Sequence, residues 1–497
     1  MRILNDVRSI LTFGLTLALA AAPAACGDSA APITGAGGTG TSVGTGTGTD
    51  GVGGGSTGST GGSAPVMHTE DDYAAMRVAV DAYIDQRFEA PPDATDKLLG
   101  LLDEGHYSLD ETEKLLRGPR AAYPAPTTKL GQIGTFDVTC YHVDYSSMAY
   151  IKVPLTYDPT KPTSLIVVGH GGNSSMSASY AQSTALSYLQ AYGPLGKALN
   201  AILVAPATER GWSPIGDSLI LSSISRIQRD YNVDPDRIYV TGQSMGGHLA
   251  WRTALTYGDH YGAFSPMSGG YPEWATNGTL RNLWTTAGFS TWGEVEPYDL
   301  DKTNVILRDW LTAHKYAWDG KQVPGEHPIA TGELTAIADF FGKHPRQMYR
   351  ADTWYSAGGT MQYTGNWDIA GWPVHTINLQ RPLMYNLRHW IRVTPRPDFM
   401  GALSFYGRVL PDNHIEITSE NVRQLKVMIQ PLMGIDMTKP VSITVNGAEV
   451  FNDVVKPDRK QMLELIREFD DRGRLFHGFV DLTVATDTPV PDPGTVN

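Results

Sequence analysis

The sequence predicts an α/β domain with a mostly parallel sheet and helices on both faces, followed by a β-rich C-terminal domain. Two observations support this prediction. Between residues 164 and 287, short apolar runs alternate with helical segments, a pattern typical of buried parallel strands separated by helices. Beyond about Pro345 this alternation stops, and residues 414–418 alternate apolar and polar side chains as a half-buried strand does.

Composition narrows the function classes. The chain has 497 residues, and its 39 Lys and Arg against 52 Asp and Glu give a net charge of −13. An acidic chain without a basic block is a poor partner for nucleic acid, so we expect none. The only cysteines are Cys26 and Cys140, which excludes a disulfide framework and a cysteine-based zinc site. We expect Cys140 to be a small buried apolar residue, and we expect no metal and no cofactor.

Residues 1–26 have the features of an export signal. Arg2 and Arg8 precede an apolar run that is too short to span a bilayer. Residues 24–27, Ala-Ala-Cys-Gly, resemble a bacterial lipobox, which implies lipidation of Cys26 and a membrane contact through that anchor alone. Pro23 stands where an aliphatic residue is usual, so cleavage after Ala24 and plain secretion stay open. Residues 27–66 are dominated by Gly, Thr and Ser and predict a disordered tether.

The segment 67–130 predicts a helical preface that packs on the next domain. Thr69-x-x-Asp72 and Ser108-x-x-Glu111 are helix-starting patterns, and Gly118 can end the second helix. A catalytic domain then extends over 131–345, with β-strand formers between 135 and 154. The predicted strands after it are 164–168, 201–205, 237–240, 264–267 and 283–287, and the predicted helices are 218–231, 246–257 and 302–314.

The strand around 237–240 leads directly into Gly242-x-Ser244-x-Gly246 and then into a helix. A nucleophile elbow needs this context, because small residues must flank a serine that sits on a sharp strand-to-helix turn. Such a serine also needs donors for an oxyanion, one of them the amide that follows it, here Met245. The loop 170–173, His-Gly-Gly-Asn, follows an earlier strand and offers Gly171 and Gly172 for the second donor.

These residues resemble the α/β-hydrolase superfamily, and within it secreted bacterial esterases related to polyhydroxybutyrate depolymerases, feruloyl esterases and prolyl-oligopeptidase catalytic domains. The resemblance is carried by the elbow, the strand before it and the His-Gly-Gly loop, and it covers about residues 131–344. It implies an α/β-hydrolase fold in which a catalytic acid and then a histidine follow the serine along the chain.

The acid candidates follow the run 283–287. Glu296 ranks first because Gly293-x-x-Glu296 resembles the turn that carries the acid, and Asp299 and Asp301 are the alternatives. The histidine of the predicted triad is His327, by its place in the loop 324–328, with His375 second and His344 third. We expect His170 and His248 to line the site.

Residues 346–485 predict the β-rich domain, with a sandwich as the expected arrangement, and 486–497 a tail. Asn446-Gly447 inside 441–451 predicts a hairpin with a type I′ turn. The front of this domain is rich in aromatic residues, which serve either as a platform for a sugar or polyester chain or as internal packing; they are Trp354, Tyr355, Tyr363, Trp367, Trp372, Tyr385 and Trp390.

Three functions remain open at this point. The first is an exported serine hydrolase that cleaves small or polymeric carboxylic esters through an acyl-enzyme on Ser244. The second is a serine peptidase of the prolyl-oligopeptidase type. The third is a non-catalytic surface protein that binds its partner on a hydrolase scaffold.

Overall fold

The computed structural model of the protein describes residues 67–173, 176–212, 214–270, 279–357, 386–394 and 402–493. The predicted export signal, Cys26, the tether and His375 therefore lie outside the described residues, as do Tyr363, Trp367, Trp372 and Tyr385.

A mixed sheet of eight strands forms the centre of the molecule, in the order β1-β2-β4-β3-β5-β6-β7-β8. β1 pairs antiparallel with β2, and β2 with β4, whereas β4, β3, β5, β6, β7 and β8 pair in parallel. The strands are β1 Ile133–Thr139, β2 Ser146–Lys152, β3 Thr163–Gly169, β4 Ile202–Pro206, β5 Val233–Gln243, β6 Ala263–Met267, β7 Ala287–Val295 and β8 Trp318–Glu326. The parallel strands aim their carboxyl ends at one edge, where sheets of this kind carry their sites.

Helices cover the sheet because β3 and β4 are buried along their whole length and need apolar cover on both faces. Two separate apolar clusters, which meet these strands with alternate residues such as Val167 and Val168, form the core. The helices of this domain are α4 Ala178–Ala191, α5 Gly193–Leu199, α6 Pro214–Asp230, α7 Met245–Tyr257, α8 Leu300–Ala313 and α9 Leu334–Lys343. The α/β-hydrolase architecture predicted from the sequence is confirmed.

One predicted strand is wrong. Residues 279–285 form a 3-10 helix, and β7 begins only at Ala287. The apolar character of this run reflects burial without strand pairing, since Leu283 is fully buried. Asn282 holds the segment in place by donating to the carbonyls of Leu255 and Ser356, at 2.8 and 2.9 Å.

The N-terminal helices are α1 Glu70–Gln86, α2 Ala94–Glu104 and α3 Leu109–Arg117. α1 and α3 begin where the sequence predicts, and α3 ends before Gly118 as predicted. Thr69 and Ser108 both form capping boxes, with Asp72 and Glu111. Their main apolar partner is α10 Arg459–Phe469 of the C-terminal region. The preface also contacts the sheet domain, where Arg87 donates to the Ser225 hydroxyl at 3.1 Å and Arg229 donates to the Asp85 carbonyl at 3.2 Å, so it packs on the far end of the chain as well as on the next domain.

The C-terminal region contains two mostly antiparallel sheets. A four-stranded sheet has the order β10-β11-β14-β17, and a five-stranded sheet has the order β16-β15-β13-β12-β9. The strands are β9 Asp352–Ala357, β10 Leu387–Arg388, β11 Ile391–Val393, β12 Leu403–Leu410, β13 His414–Glu420, β14 Gln424–Ile429, β15 Pro440–Val445, β16 Ala448–Val454 and β17 Gly478–Thr483. The predicted hairpin joins β15 to β16, and Asn446 and Gly447 have the positive φ angles of 52° and 81° that a type I′ turn requires.

The structure describes three of the aromatic residues that the sequence places at the front of the C-terminal domain. Trp354, Tyr355 and Trp390 are 2 % exposed or less, so they pack in the interior. Cys140 is likewise buried in the core of the sheet domain, and burial raises the pKa of its thiol to about 12. Across the described ranges, none of the helices is both long and apolar enough to cross a membrane.

Candidate active site

The turn at Ser244 is the most constrained backbone in the site. Ser244 lies between the end of β5 and the start of α7, with φ 58° and ψ −120°, a conformation that costs a residue with a side chain about 1–3 kcal/mol. The Ser244 amide donates to the Met267 carbonyl at 3.0 Å, and the Ser244 carbonyl accepts from the His248 amide at 2.9 Å. The surrounding hydrogen bonds thus hold the strained turn in place.

Flanking glycines make this turn possible. A Cβ atom at Gly242 would lie 2.5 Å from the Gly169 carbonyl oxygen at the end of β3, and one at Gly246 would overlap the same peptide. Strand, turn and helix pack at a distance that only glycine allows. The spacing Gly-x-Ser-x-Gly is therefore a steric requirement of this fold.

The carboxyl ends of β7 and β8 bring together two of the predicted triad residues. Glu296 follows β7 and His327 follows β8, and His327 Nδ1 lies 2.6 Å from Glu296 Oε2. The Glu296 side chain is fully buried, whereas the imidazole is 31 % exposed. The imidazole can therefore reach a ligand at the surface while its carboxylate partner is shielded from water.

Two further groups contact the Glu296 carboxylate. Oε1 accepts from the Gly293 amide at 2.6 Å, and the Ser268 hydroxyl also lies against the side chain. Burial acts to raise the pKa of Glu296, but the hydrogen bonds from His327 and the Gly293 amide outweigh it and the pKa lies below its ordinary value. Glu296 is thus an anion at neutral pH, as an acceptor for an imidazole N–H must be.

The other acid candidates do not reach the imidazole. Asp299, with φ 54°, precedes α8 and accepts from Lys302 Nζ at 2.6 Å on the surface. Asp301 lies one residue inside α8 and has no hydrogen bond to His327 among the described residues. Of the three predicted carboxylates, the structure brings only Glu296 to His327.

Several contacts join the segment of Ser244 to that of His327. Gln243 Nε2, next to the serine, donates to the His327 carbonyl at 2.9 Å. The Ser268 hydroxyl donates to the Pro328 carbonyl at 3.0 Å, and Ser268 follows β6, which lies between the two segments in the sheet. Ser244, Glu296 and His327 therefore occupy the same edge of the sheet.

His170 is buried behind the glycine loop. The Thr208 amide donates to its Nε2 at 3.1 Å, so the ring proton sits on Nδ1, which donates to the Gly171 carbonyl at 2.8 Å. Burial lowers the pKa of His170 and keeps the ring neutral. Because a trans peptide points its N–H opposite to its C=O, this bond also fixes the direction of the Gly172 N–H.

The predicted oxyanion donors differ in their surroundings. Met245 is the first residue of α7, where an amide lacks a partner within its helix. The Tyr188 hydroxyl packs against Gly171, where a Cβ atom would lie 2.3 Å from it. Gly172, with φ 130°, has no partner for its amide in the described part of the chain. The oxyanion roles of Met245, Gly171 and Gly172 stay predictions.

The other predicted histidines have structural surroundings. His248 lies on the first turn of α7, where its Nδ1 accepts from the Gly270 amide at 2.9 Å. Burial of the ring, and to a smaller extent the neighbouring His327, lower the pKa of His248. His248 lies near His327, and its role in lining the site stays a prediction. His344, the third choice for base, stacks on Phe340 and bonds to its carbonyl at the end of α9, at 2.7 Å.

Sequence reasoning missed three residues of this region: Tyr188, Gln243 and Ser268. Gln243 stands inside the quoted elbow pattern, but its variable position carries no demand of its own. Tyr188 is one of many aromatic residues on helices, and Ser268 has no motif. Only the folded chain shows that all three are hydrogen-bonded around the site.

Residues 204–316 match the family model Esterase, described as "Putative esterase". No curated protein matches the sequence. Among solved structures the chain is similar to a thermostable esterase, at 17 % identity over 43 % of this chain and 63 % of that one, with a TM-score of 0.37. It is similar to a mutant feruloyl esterase module from Clostridium thermocellum in complex with sinapinate, at 16 % identity over 44 % and 90 %, with a TM-score of 0.36.

A third similar structure is an S-formylglutathione hydrolase from Staphylococcus aureus, at 15 % identity over 44 % of this chain and 99 % of that one, with a TM-score of 0.33. The chain spans less than two thirds of the thermostable esterase. The family match covers β4 to α8 and so includes Ser244 and Glu296. The sheet order and the elbow are those of the α/β-hydrolase fold, and residues 204–316 of this fold are similar to the esterase family model.

Proposed function

We propose that the protein is an exported serine hydrolase that cleaves carboxylic esters through an acyl-enzyme, with Ser244 as nucleophile, His327 as base and Glu296 as the carboxylate that orients it. One observation carries the proposal. The 2.6 Å contact between His327 Nδ1 and the shielded Glu296 carboxylate lies at the same sheet edge as a serine held at φ 58°. A buried carboxylate, a reachable imidazole and a strained serine form the constellation of a triad.

The chemistry follows from these positions. Ser244 Oγ attacks the ester carbonyl and its proton passes to His327 Nε2, while Glu296 stabilises the resulting imidazolium through Nδ1. The amides of Met245 and Gly172 bind the oxyanion. His327 returns the proton to the departing alcohol, and a water molecule, activated by the same histidine, then releases the carboxylic acid and restores the serine.

Labelling with a fluorophosphonate tests the nucleophile. The full chain should be labelled, and Ser244→Ala should remove the label. His327→Ala should lose activity to the level of Ser244→Ala, whereas His375→Ala, the matched histidine control, should not. Label that persists in Ser244→Ala would overturn the assignment. A panel of short acyl esters, feruloyl esters and peptide amides then distinguishes an esterase from a peptidase, since amides are the less reactive acyl donors and only a peptidase would turn them over at a useful rate.

We further propose that the chain is exported and held at a membrane by lipid on Cys26, or secreted if cleavage follows Ala24. The proposal rests on the signal-like residues 1–26 and the tether. Metabolic labelling with a fatty-acid analogue should mark the wild type and not Cys26→Ser. Unlabelled wild type found free after export would establish secretion, and retention of both forms in the cytoplasm would contradict export.

A further inference from the structure

A series of side-chain contacts joins the glycine loop to the His327 segment from behind the site. The Tyr188 hydroxyl on α4 packs against Gly171, where a Cβ atom would lie 2.3 Å from it. The Tyr188 hydroxyl in turn donates to Gln243 Oε1. Gln243 Nε2 then donates to the His327 carbonyl at 2.9 Å. Three segments that lie far apart in the sequence are thus connected by two side chains.

The chemistry of Tyr188 and Gln243 determines which group donates in each of these hydrogen bonds. Burial raises the pKa of Tyr188 to about 12, so the phenol keeps its proton at neutral pH and can donate. A glutamine has an acceptor oxygen and a donor nitrogen on the same planar group, so an acceptor turned to Tyr188 leaves the donor for His327. Neither a phenylalanine at 188 nor a glutamate at 243 could complete the connection.

The connected segments are those that must keep a fixed distance during the proposed reaction. The glycine loop supplies the Gly172 amide to the oxyanion, and His327 must stay within reach of the serine proton. A shift of about 1 Å between such groups can cost on the order of 100-fold in rate. A bond from Gln243, the residue before the nucleophile, is well placed to prevent that shift.

We propose that Tyr188 and Gln243 are positioning residues that hold the His327 segment and the Gly171–Gly172 loop in register across the nucleophile elbow. This inference rests on the proposed function. Tyr188 packs against Gly171 and donates to Gln243, and Gln243 donates to the His327 carbonyl, so both residues act through the segments that they contact.

The test compares Tyr188→Phe with Tyr180→Phe on the same helix, where Tyr180 is 58 % exposed and its hydroxyl has no hydrogen bond in the described part of the chain. Tyr188→Phe should lower kcat about 10-fold with KM changed less than about 2-fold, because loss of a fixed geometry affects the reacting state more than binding. Tyr180→Phe should match the wild type. Equal kcat for the two variants would overturn the proposal. It would also be overturned if Tyr188→Phe lost kcat only because the variant is less stable to heat.

A double-mutant cycle sharpens the test. Gln243→Met keeps the length of the side chain and removes both of its polar groups. If the two residues act as one connection, Tyr188→Phe combined with Gln243→Met should lose little more than either single variant. Losses that multiply would mean two independent effects and would contradict the proposal.

Amide hydrogen exchange separates this inference from the proposed function. The Gly171 amide should exchange faster in Tyr188→Phe than in Tyr180→Phe, whatever reaction the site performs. If exchange responds but the wild type takes no fluorophosphonate label, the connection exists and the serine hydrolase proposal is wrong. If the wild type is labelled and exchange does not respond, the connection is wrong and the hydrolase proposal is unaffected.

Discussion

Two buried carboxylates show how this molecule treats a site and a junction differently. Glu296 contacts a histidine whose ring is 31 % exposed. Asp259 instead contacts the guanidinium of Arg474 at 3.0 Å, and that guanidinium is fully buried. Asp259 also accepts from the His389 amide at 3.0 Å, with Arg388 nearby at 4.0 Å. The partner of Glu296 is thus an imidazole open to water, whereas two buried guanidinium groups lie closest to Asp259.

The location of each carboxylate agrees with this difference. Glu296 lies at the carboxyl edge of the sheet, where a proton must come and go. Asp259 follows α7 and meets residues of the C-terminal region, where the nearby Arg346 also bridges Asp236 and Asp471 at 2.8 and 2.5 Å. A titratable partner open to water suits catalysis, whereas buried arginine pairs suit a fixed junction between two parts of the chain.

The largest expected effect is on catalytic activity, and it follows substitution of Glu296. Glu296→Gln should lower kcat on the order of 10⁴-fold with little change in stability, because the amide can turn its oxygen to the Gly293 N–H and its NH₂ to His327 Nδ1. That contact favours the proton on Nε2, and such a ring cannot accept the serine proton. Steady-state kinetics on one ester, with thermal unfolding in parallel, measures both quantities.

Asp299→Asn is the matched control, because Asp299 is a neighbouring carboxylate whose partner is the exposed Lys302. It should keep wild-type kcat. A deeper loss in Asp299→Asn than in Glu296→Gln would show that the acid has been assigned to the wrong residue.

The site was predictable to the extent that its backbone demands particular residues. Gly242 and Gly246 are required by contact with Gly169, so the elbow is visible in the sequence. Glu296 was ranked first because Gly293 precedes it by three residues, and the structure shows the Gly293 amide bonded to that carboxylate. The catalytic roles of these residues stay predictions until the variants are measured.

Features that depend on contacts distant in sequence were not predictable. The segment around Leu283 has the apolar character of a strand, but it is buried by α7 and β9 and lies outside the sheet. The partner of the N-terminal helices, α10, is a helix inside a β-rich region more than 340 residues away. The Tyr188 and Gln243 connection joins three segments with no shared motif. A single sequence carries no signal for such pairings.

A smaller effect, on stability rather than on chemistry, is expected at the junction. Asp259→Asn should lower the free energy of unfolding by about 3–5 kcal/mol at pH 7, because it leaves buried arginines without their counter-charge. Asp436→Asn, which removes an exposed pair with Lys439, should produce no measurable change. Urea unfolding measures both, and fluorophosphonate labelling of still-folded Asp259→Asn should proceed at the wild-type rate. Slow labelling in that variant would mean that the junction also shapes the site.

The pH dependence of stability tests whether Asp259 stabilises the junction through its charge. Burial acts to raise the pKa of Asp259, but the nearby Arg474, His260 and Arg388 outweigh it, so the pKa in the folded protein lies well below the value of about 3.9 in an unfolded chain. Below about pH 5 the unfolded state therefore binds more protons at this position than the folded state does, and stability is lost progressively as the pH falls. Asp259→Asn has no such proton to bind, so the difference in stability between wild type and variant should shrink between pH 5 and about pH 3. A difference that stays constant over that interval would show that Asp259 contributes through packing or hydrogen bonding rather than through its charge.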